Sequence, residues 1–477
     1  MRRPKPTKHQ AERLRAILDR PGARVLVLGI GRHGSGTAAC RYLARLGADI
    51  TVSDDDPQQL RRLHRLIRTG RCPPVRVVEP RDAEPLRCEL VVTAPAVRPT
   101  HPLLRTATEH GIPITTEAAL FLLQCPARCI GITGTNGKST TALALYRMLR
   151  AAGRRAWLGG NIGRPLIDQL PRIQHDDIVV LELSSFQLHW LDQLAFSPAA
   201  AIITSLAEDH TAWHGCRAAY VRAKRTIVRY QQSSDWYVLN VDDAALRTWH
   251  AAGQRLEVGA NATFPGTRTS AEGIEWSLGI GRGRLPWPVA ARWLPAVYRH
   301  NLALAATAAL ALGADRAVVE RILSRPRLLP HRMSVVDVID GVTFIDDSAA
   351  TTPQAAIAAV RRFGSSGLWV IAGGDDKGLE LTPLAQALAE YANGVALVGR
   401  TAAALYTELL ERGCRAVVMP DLEEALYWCW RSAGPGHCVL LSPGCASTDR
   451  FVDYRERGAC FRAAVRRLRL HAAAPEA

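Results

Sequence analysis

The chain has 477 residues, 48% hydrophobic and 22% charged, with 60 Lys+Arg against 44 Asp+Glu and a formal net charge of +16. That length exceeds what one hydrophobic core holds, so roughly two to four domains are expected. The balance excludes a disordered or fibrous chain, and no apolar run approaches the ~20 residues of a membrane helix.

The positive charge invites a nucleic-acid reading, but the arginines are spread along the chain rather than clustered with aromatics. A basic surface suited to a polyanionic small substrate accounts for it equally well. The eleven cysteines contain no C-x-x-C pair, and the nearest two are Cys125 and Cys129. Scattered thiols of a reducing compartment are expected, and Met1–Arg20 is basic without the apolar centre of a secretory signal, so a cytoplasmic protein is expected. Only five cations are lysine: Lys5, Lys8, Lys138, Lys224 and Lys377. Lysine offers a compact charge and a modifiable amine that arginine does not. Lys138, Lys224 and Lys377 are therefore functional candidates in this arginine background.

In chain order, 24–28 reads as a strand running into Gly29-x-Gly31-x-x-Gly34, then a helix over 37–46 and a strand over 49–53 ending at Asp54. This is a dinucleotide-type βαβ unit, which holds a diphosphate or nucleotide, with Gly31 and Asp54 as candidate contacts. A strand over 90–93 leads into the loop Ala94–Val97, and the first domain is expected to end near Thr116.

A short apolar run, Cys129–Ile132, then reads as a buried strand, followed by Gly134-Thr135-Asn136-Gly137-Lys138-Ser139-Thr140 and a helical pattern over 142–149. Strand, glycine loop, Lys-Ser and helix make a phosphate cradle, because backbone N–H groups and the helix N-terminus close on an anion. Lys138 would neutralise terminal phosphates, and Ser139 or Thr140 would hold Mg²⁺. The loop is shorter than G-x-x-x-x-G-K, since Ile132 stands where that pattern needs glycine.

A second glycine turn, Gly159–Gly163, carries Asn161, and the apolar strand from Ile178 ends at Glu182 before Ser184. A carboxylate in such a strand is costly unless paired or metal-bound, and with a nucleotide loop upstream the metal is expected. A strand over 200–204 leads to Glu208-Asp209-His210, where His210 is a candidate second metal ligand, and Lys224 sits in a helical pattern. Residues 268–296 read as short strands and loops, and His300-Asn301 opens an Ala/Leu helix over 302–312.

Arg325–Pro330 has the composition of a linker. Beyond it, strands over 342–345, 368–372, 394–398 and 438–441 each end in a polar or glycine loop. Those loops should share the carboxyl edge of one sheet, where ligands sit. The tail beyond about Leu470 is expected to be disordered.

Taken together, Gly134–Thr140, Gly160–Gly163, Leu181–Leu188, Glu208–His210, His300-Asn301, Leu329–Arg332, Asp346–Ser348, Gly373–Lys377 and Leu441–Ser447 resemble the Mur ligases, the ATP-dependent enzymes that build the peptide stem of peptidoglycan. The likeness runs from about Arg24 to Leu468. It implies an α/β chain of three domains: a Rossmann-like UDP-binding domain (1–116), a central P-loop-type ATPase domain (117–328) and a C-terminal Rossmann-like α/β domain (329–477).

The resemblance is greatest to the member that joins D-glutamate to UDP-N-acetylmuramoyl-L-alanine through an acyl phosphate. It implies that the first domain holds UDP rather than NAD. It places ATP on Gly134–Thr140, with Mg²⁺ at Ser139, Glu182, His210 and a carbamylated Lys224. Asn161 and Ser184 match positions touching the muramoyl-alanine group. Asn301 matches an adenine contact. His331, Arg332 and Asp347 match nucleotide or phosphate contacts, and Lys377, Ser447 and Tyr454 lie where the incoming glutamate is received. A monomer without nucleic-acid or membrane partners is expected, with the third domain closing over the site to exclude water.

Three departures stand out. Ala349 replaces the lysine of the family's Asp-Ser-Lys-Ala-Thr, Leu304 replaces a second asparagine, and Tyr454 stands where Phe is frequent. The missing lysine keeps an L-glutamate-adding ligase open beside the D-glutamate reading. A non-catalytic UDP-sugar-binding homologue is opposed by Lys138, Glu182, His210 and Lys224.

Overall fold

The computed structural model describes residues 8–31, 34–288, 291, 294, 296–325, 330–364, 367–376 and 378–472. The chain divides into two compact units, Met1–Pro326 and Arg327–Ala477.

The first unit holds two sheets. Strands β1 (Arg24–Leu28), β2 (Asp49–Ser53), β3 (Arg76–Val77), β4 (Leu90–Thr93) and β5 (Ile114–Thr115) form an all-parallel sheet in the order β3-β2-β1-β4-β5. This is the doubly wound arrangement, with its switch point between β1 and β4. The loop after β1 carries the glycines, and the loop 94–97 follows β4. Both therefore open on the same crevice.

The second sheet is built on β6 (Arg128–Thr133), β7 (Ala156–Gly160), β8 (Ile178–Glu182), β9 (Ala200–Ile203), β10 (Trp236–Asn240), β11 (Gln254–Gly259), β12 (Gly266–Thr269), β13 (Gly273–Leu278) and β14 (Gly281–Pro286). Their order is β14-β13-β12-β11-β10-β9-β6-β8-β7. It is parallel from β7 to β12, and β12, β13 and β14 pair antiparallel. Strand β8 is buried at every position, as a strand covered on both faces must be, which is why its sequence is a continuous apolar run. Since β6 lies between β8 and β9, with Ile132 opposite Glu182 and Thr133 opposite Ile203, the three loops that follow emerge side by side.

Helix Lys138–Ala151 starts at the phosphate-loop lysine and packs against Ala296–Ala311, whose alanines let the axes approach closely. That second helix begins before His300 and Asn301, so these residues lie within it rather than at its opening. Leu304 is fully buried and belongs to the same apolar core as Ile130, Ile132 and Leu145.

In the second unit, β15 (Ser334–Ile339), β16 (Val342–Asp346), β17 (Leu368–Ala372), β18 (Gly394–Leu397), β19 (Ala416–Val418) and β20 (Cys438–Leu441) order as β15-β16-β20-β17-β18-β19. Only β15 runs antiparallel, to β16. The loops after β16, β17, β18 and β20 share one edge, as the strand pattern indicates. The last helix, Tyr454–Ala472, continues past Leu470, so the tail is ordered at least that far. The linker residues 326–329 and the tail 473–477 lie outside the described residues. Among the described residues no helix is long and apolar enough to cross a membrane.

Candidate active site

The phosphate loop is held open by backbone geometry that only glycine allows cheaply. Gly137 caps the helix in the left-handed region at φ 87°, and a Cβ there would overlap the Asn301 carboxamide. Asn301, buried in its helix, thus seats directly on the loop. The loop is also tied to the segment after β9. Thr135 N–H donates to Ser205 O at 2.8 Å, Asn136 N–H donates to Ser205 Oγ at 2.9 Å, and Thr204 Oγ1 donates to Asn136 O at 2.5 Å.

Two lysines converge on one carbonyl. Lys138 Nζ donates to Gly134 O at 2.9 Å and Thr135 O at 2.8 Å, while Lys224 Nζ donates to Gly134 O at 2.7 Å. Lys224 lies on helix Arg217–Arg229 and is 2% exposed, so it is not the surface residue its helical pattern suggests. Burial, then repulsion from Lys138, holds its amine well below the usual lysine range, with Asp209 and Glu182 opposing. A buried lysine pushed toward its neutral form is the form that reacts with CO₂.

Glu182 ends β8 and is 2% exposed. Its Oε1 accepts from Asn161 Nδ2 at 3.1 Å, and Asn161 N–H donates to Glu182 O at 2.8 Å. Its Oε2 is buried without a hydrogen-bond partner. An orphaned carboxylate oxygen beside a phosphate loop fits a divalent cation. His210 sits in the left-handed region at φ 54°, 3.2 Å from Asp209, with its ring 4.7 Å from Phe186. Among the described residues no three His, Cys, Asp or Glu side chains gather into a protein-only cage. Mg²⁺ does not need one, because it keeps water and substrate phosphates as ligands. Ser139 is partly buried in the first helical turn and Thr140 is buried beside it.

Ser184 caps helix Ser185–Asp192 through a capping box with Gln187. Its hydroxyl is engaged in holding the backbone that follows Glu182. In the first sheet, Gly31 is left-handed at φ 71°. Asp54 Oδ2 accepts from Ile30 N–H at 2.7 Å, so this carboxylate shapes the glycine loop itself. Gly36, beyond the motif, lets the following helix approach Ile30, where a Cβ would lie 2.5 Å from Ile30 Cα.

In the second unit Asp346 is fully buried and accepts from His331 Nδ1 at 2.7 Å and Arg462 Nε at 2.6 Å. Asp347 is pushed up to about 7 by burial, against hydrogen bonds from Ser442 Oγ and Met333 N–H and the charge of Arg332. Ser348 Oγ donates to Tyr454 O at 2.8 Å, and the Tyr454 ring lies 6.3 Å from that of His331. Ser447 is 4% exposed on the loop after β20. Ala349 is buried and its N–H donates to His331 O. Lys377 lies outside the described residues.

Two family models match the chain: the Mur ligase middle domain over residues 132–277, and the Mur ligase, glutamate ligase domain over 331–445. A UDP-N-acetylmuramoylalanine–D-glutamate ligase of Roseiflexus sp. (strain RS-1) is 36% identical over 468 residues, covering 92% of this chain and 98% of that protein. The chain belongs to the Mur ligase family. A second ligase of the same name, from Symbiobacterium thermophilum, is also 36% identical, covering 93% of this chain and 98% of its own. Among solved structures, UDP-N-acetylmuramate-alanine ligase MurC from Thermotoga maritima superposes with a TM-score of 0.60 at 19% identity, covering 93% and 99% of the two chains. MurF ligase from Thermotoga maritima in complex with ADP gives 0.56 at 16% identity, covering 95% and 99%. Both show the Mur ligase fold.

Two residues of this Mur ligase escape a motif reading. Tyr220 bonds Thr135 Oγ1 of the phosphate loop at 2.8 Å and lies under Lys224 Nζ at 4.8 Å. Its position four residues before a rare lysine, one helical turn, was the available signal. Arg457 is 2% exposed, and its guanidinium donates to Ser348 Oγ and to the Ser348, Cys445 and Ala446 carbonyls. It ties the loops after β16 and β20 together, and nothing in the local sequence distinguishes it from the other arginines.

Proposed function

We propose that this Mur ligase adds D-glutamate to UDP-N-acetylmuramoyl-L-alanine with cleavage of ATP to ADP and phosphate, in the synthesis of a peptidoglycan precursor. The observation that carries the reading is the meeting of Lys138 and the buried Lys224 on the Gly134 carbonyl beside Glu182. It supports phosphoryl chemistry at the loop, and the names of the near full-length relatives support the substrates.

In this reading the substrate carboxylate attacks the γ-phosphorus of ATP, and ADP leaves. Lys138 and the loop N–H groups offset the charge spread over the transferring phosphoryl group. Glu182, Ser139, His210 and a carbamylated Lys224 would hold Mg²⁺, which neutralises phosphate charge when bound. Asn161 keeps Glu182 in place through its side chain and backbone. The glutamate amine then attacks the acyl carbon, an amide forms and phosphate leaves. Lys377, Ser447 and Tyr454 receive the amino acid, His331, Arg332 and Asp347 serve the nucleotide, and Gly31 and Asp54 the UDP group. The reading carries domain boundaries near residues 116 and 328, a monomer and a cytoplasmic location.

Ala349, where the family lysine is absent, favours testing L-glutamate as the second candidate. The experiment is phosphate release with Mg·ATP, UDP-N-acetylmuramoyl-L-alanine and a panel of amino acids. Release with D-glutamate is expected. Release with L-glutamate alone would transfer the assignment to that enantiomer, and no release with any amino acid would refute the ligase.

A further inference from the structure

A chain of contacts joins the crevice of the first sheet to the phosphate loop of the second, and the mechanism above makes no use of it. At one end is the loop after β4. Ala94 and Val97 of that loop press on Gly29, where an added Cβ would lie 2.9 Å from Ala94 Cβ and 3.2 Å from Val97 Cγ2. The loop after β4 is thus packed directly on the first glycine loop, so the two line the same crevice. The carbonyl of Ala96, in the same loop, accepts a hydrogen bond from Trp213 Nε1 at 2.8 Å.

Trp213 lies three residues after His210, in the short helix Thr211–His214. Its ring packs on Phe186 at 4.7 Å and on His214 at 4.6 Å, and Phe186 also packs on His210. His214 holds Ser185 Oγ at 3.0 Å and lies edge-on to Tyr220 at 5.5 Å. Tyr220 OH then reaches Thr135 Oγ1 inside the phosphate loop at 2.8 Å. The link is made of large rings in contact; one hydrogen bond joins it to the first sheet, while at the phosphate loop the Tyr220 contact is reinforced by Ala207 N–H on Thr135 Oγ1 at 2.9 Å and by Lys224 over the Tyr220 ring. Rings in contact move as a block, whereas one hydrogen bond to a loop carbonyl is readily made or broken. Trp213 is thus the point at which the block is latched to, or released from, the first sheet.

We propose that Trp213 is a positioning residue that couples occupancy of the UDP crevice to nucleotide binding at the phosphate loop. With the UDP-sugar in place, residues 94–97 are held, the indole N–H stays latched on Ala96, and the block keeps Thr135 and His210 in register for Mg·ATP. With the crevice empty the latch opens more freely and the phosphate loop is less ordered. The coupling is reciprocal, so nucleotide must tighten UDP-sugar binding by the same factor. This rests on the assignment of the two sites made above, and adds to it a residue and a coupling between them.

The test is calorimetric titration of a non-hydrolysable ATP analogue with Mg²⁺, with and without saturating UDP-N-acetylmuramoyl-L-alanine. The wild type is expected to bind the analogue roughly tenfold more tightly with the sugar nucleotide present. Trp213→Phe keeps an aromatic ring against Phe186 and His214 and removes the N–H together with the five-membered part of the indole. It should reduce that factor to about twofold or less, with affinity for the analogue alone little changed. Tyr220→Phe breaks the contact to Thr135 at the other end and should also reduce the factor, with a loss of affinity for the analogue alone because Tyr220 touches the phosphate loop. A merely structural role would lower the melting temperature of Trp213→Phe and leave the factor intact, which overturns the proposal. A wild type that binds both ligands without mutual effect also overturns it while leaving the ligase assignment standing. Failure of the wild type to bind either ligand would remove both.

Discussion

Replacing Lys224 by methionine should leave the protein more stable and catalytically dead. The lysine is fully buried with its amine held below the ordinary value of 10.5, first by burial and then by Lys138. Below about 10.5 the unfolded chain carries the proton freely, whereas the folded chain must either bury the charge or release the proton. Each unit of depression therefore costs about 1.4 kcal/mol of stability at pH values below the folded pKa. The penalty shrinks as pH rises through that window and vanishes above 10.5. Against it stands one hydrogen bond to a carbonyl, of about 1.5–3 kcal/mol for a charged donor. That carbonyl, Gly134 O, keeps Lys138 as a second donor, so its loss leaves no buried acceptor bare. Methionine has similar length and fills the space. The balance favours the variant, by about 1–4 kcal/mol if it resembles other replacements of buried charge.

The assay is urea unfolding in CO₂-free buffer, followed at pH 7 and again near pH 10.5. The variant should be the more stable at pH 7, and the gap should close at the higher pH. Phosphate release by the variant should fall to background. Bicarbonate should stabilise the wild type alone, because only a neutral lysine amine forms a carbamate. A variant destabilised equally at both pH values would refute the view that Lys224 is buried against its charge.

Gly137→Ala should cost about 1–2 kcal/mol from the left-handed backbone alone, and more from displacing Asn301. Combining it with Asn301→Ala should recover the second part but not the first, and a strictly additive pair in urea melts would show that the two residues do not meet. Asp347 is raised to about 7 from an ordinary 3.8, so the folded state holds its proton over that interval and stability falls as pH rises from about 4 to about 7. Asp347→Asn should flatten this slope in melting curves, and an unchanged slope would place the titration elsewhere.

The parallel strands were legible because a strand covered on both faces must be apolar throughout, as Ile178–Leu181 is, and because each run stops at a glycine or polar loop. The phosphate loop was legible because its glycines, lysine and serine are adjacent in the chain. Lys224 stood out only through the scarcity of lysine, since its helical pattern alone suggested an exposed face. Helix boundaries were less visible. Around His300 the pattern hid the first turn, because half-buried polar residues there blur the apolar period.

By itself the sequence determined the α/β class, the order of the strand-loop-helix units and the identity of the groups that can meet a phosphate. Tertiary structure alone decided which of them meet. Thr135 and Tyr220 are 85 residues apart, Lys224 and Gly134 90, and Trp213 and Ala96 117. Local propensity and pattern act over a few turns of chain, while these contacts follow from the strand order β8-β6-β9 and from the packing of one sheet's loops against the other's. The same holds for the charge states of Lys224 and Asp347, since burial is a property of the folded chain and not of any segment within it.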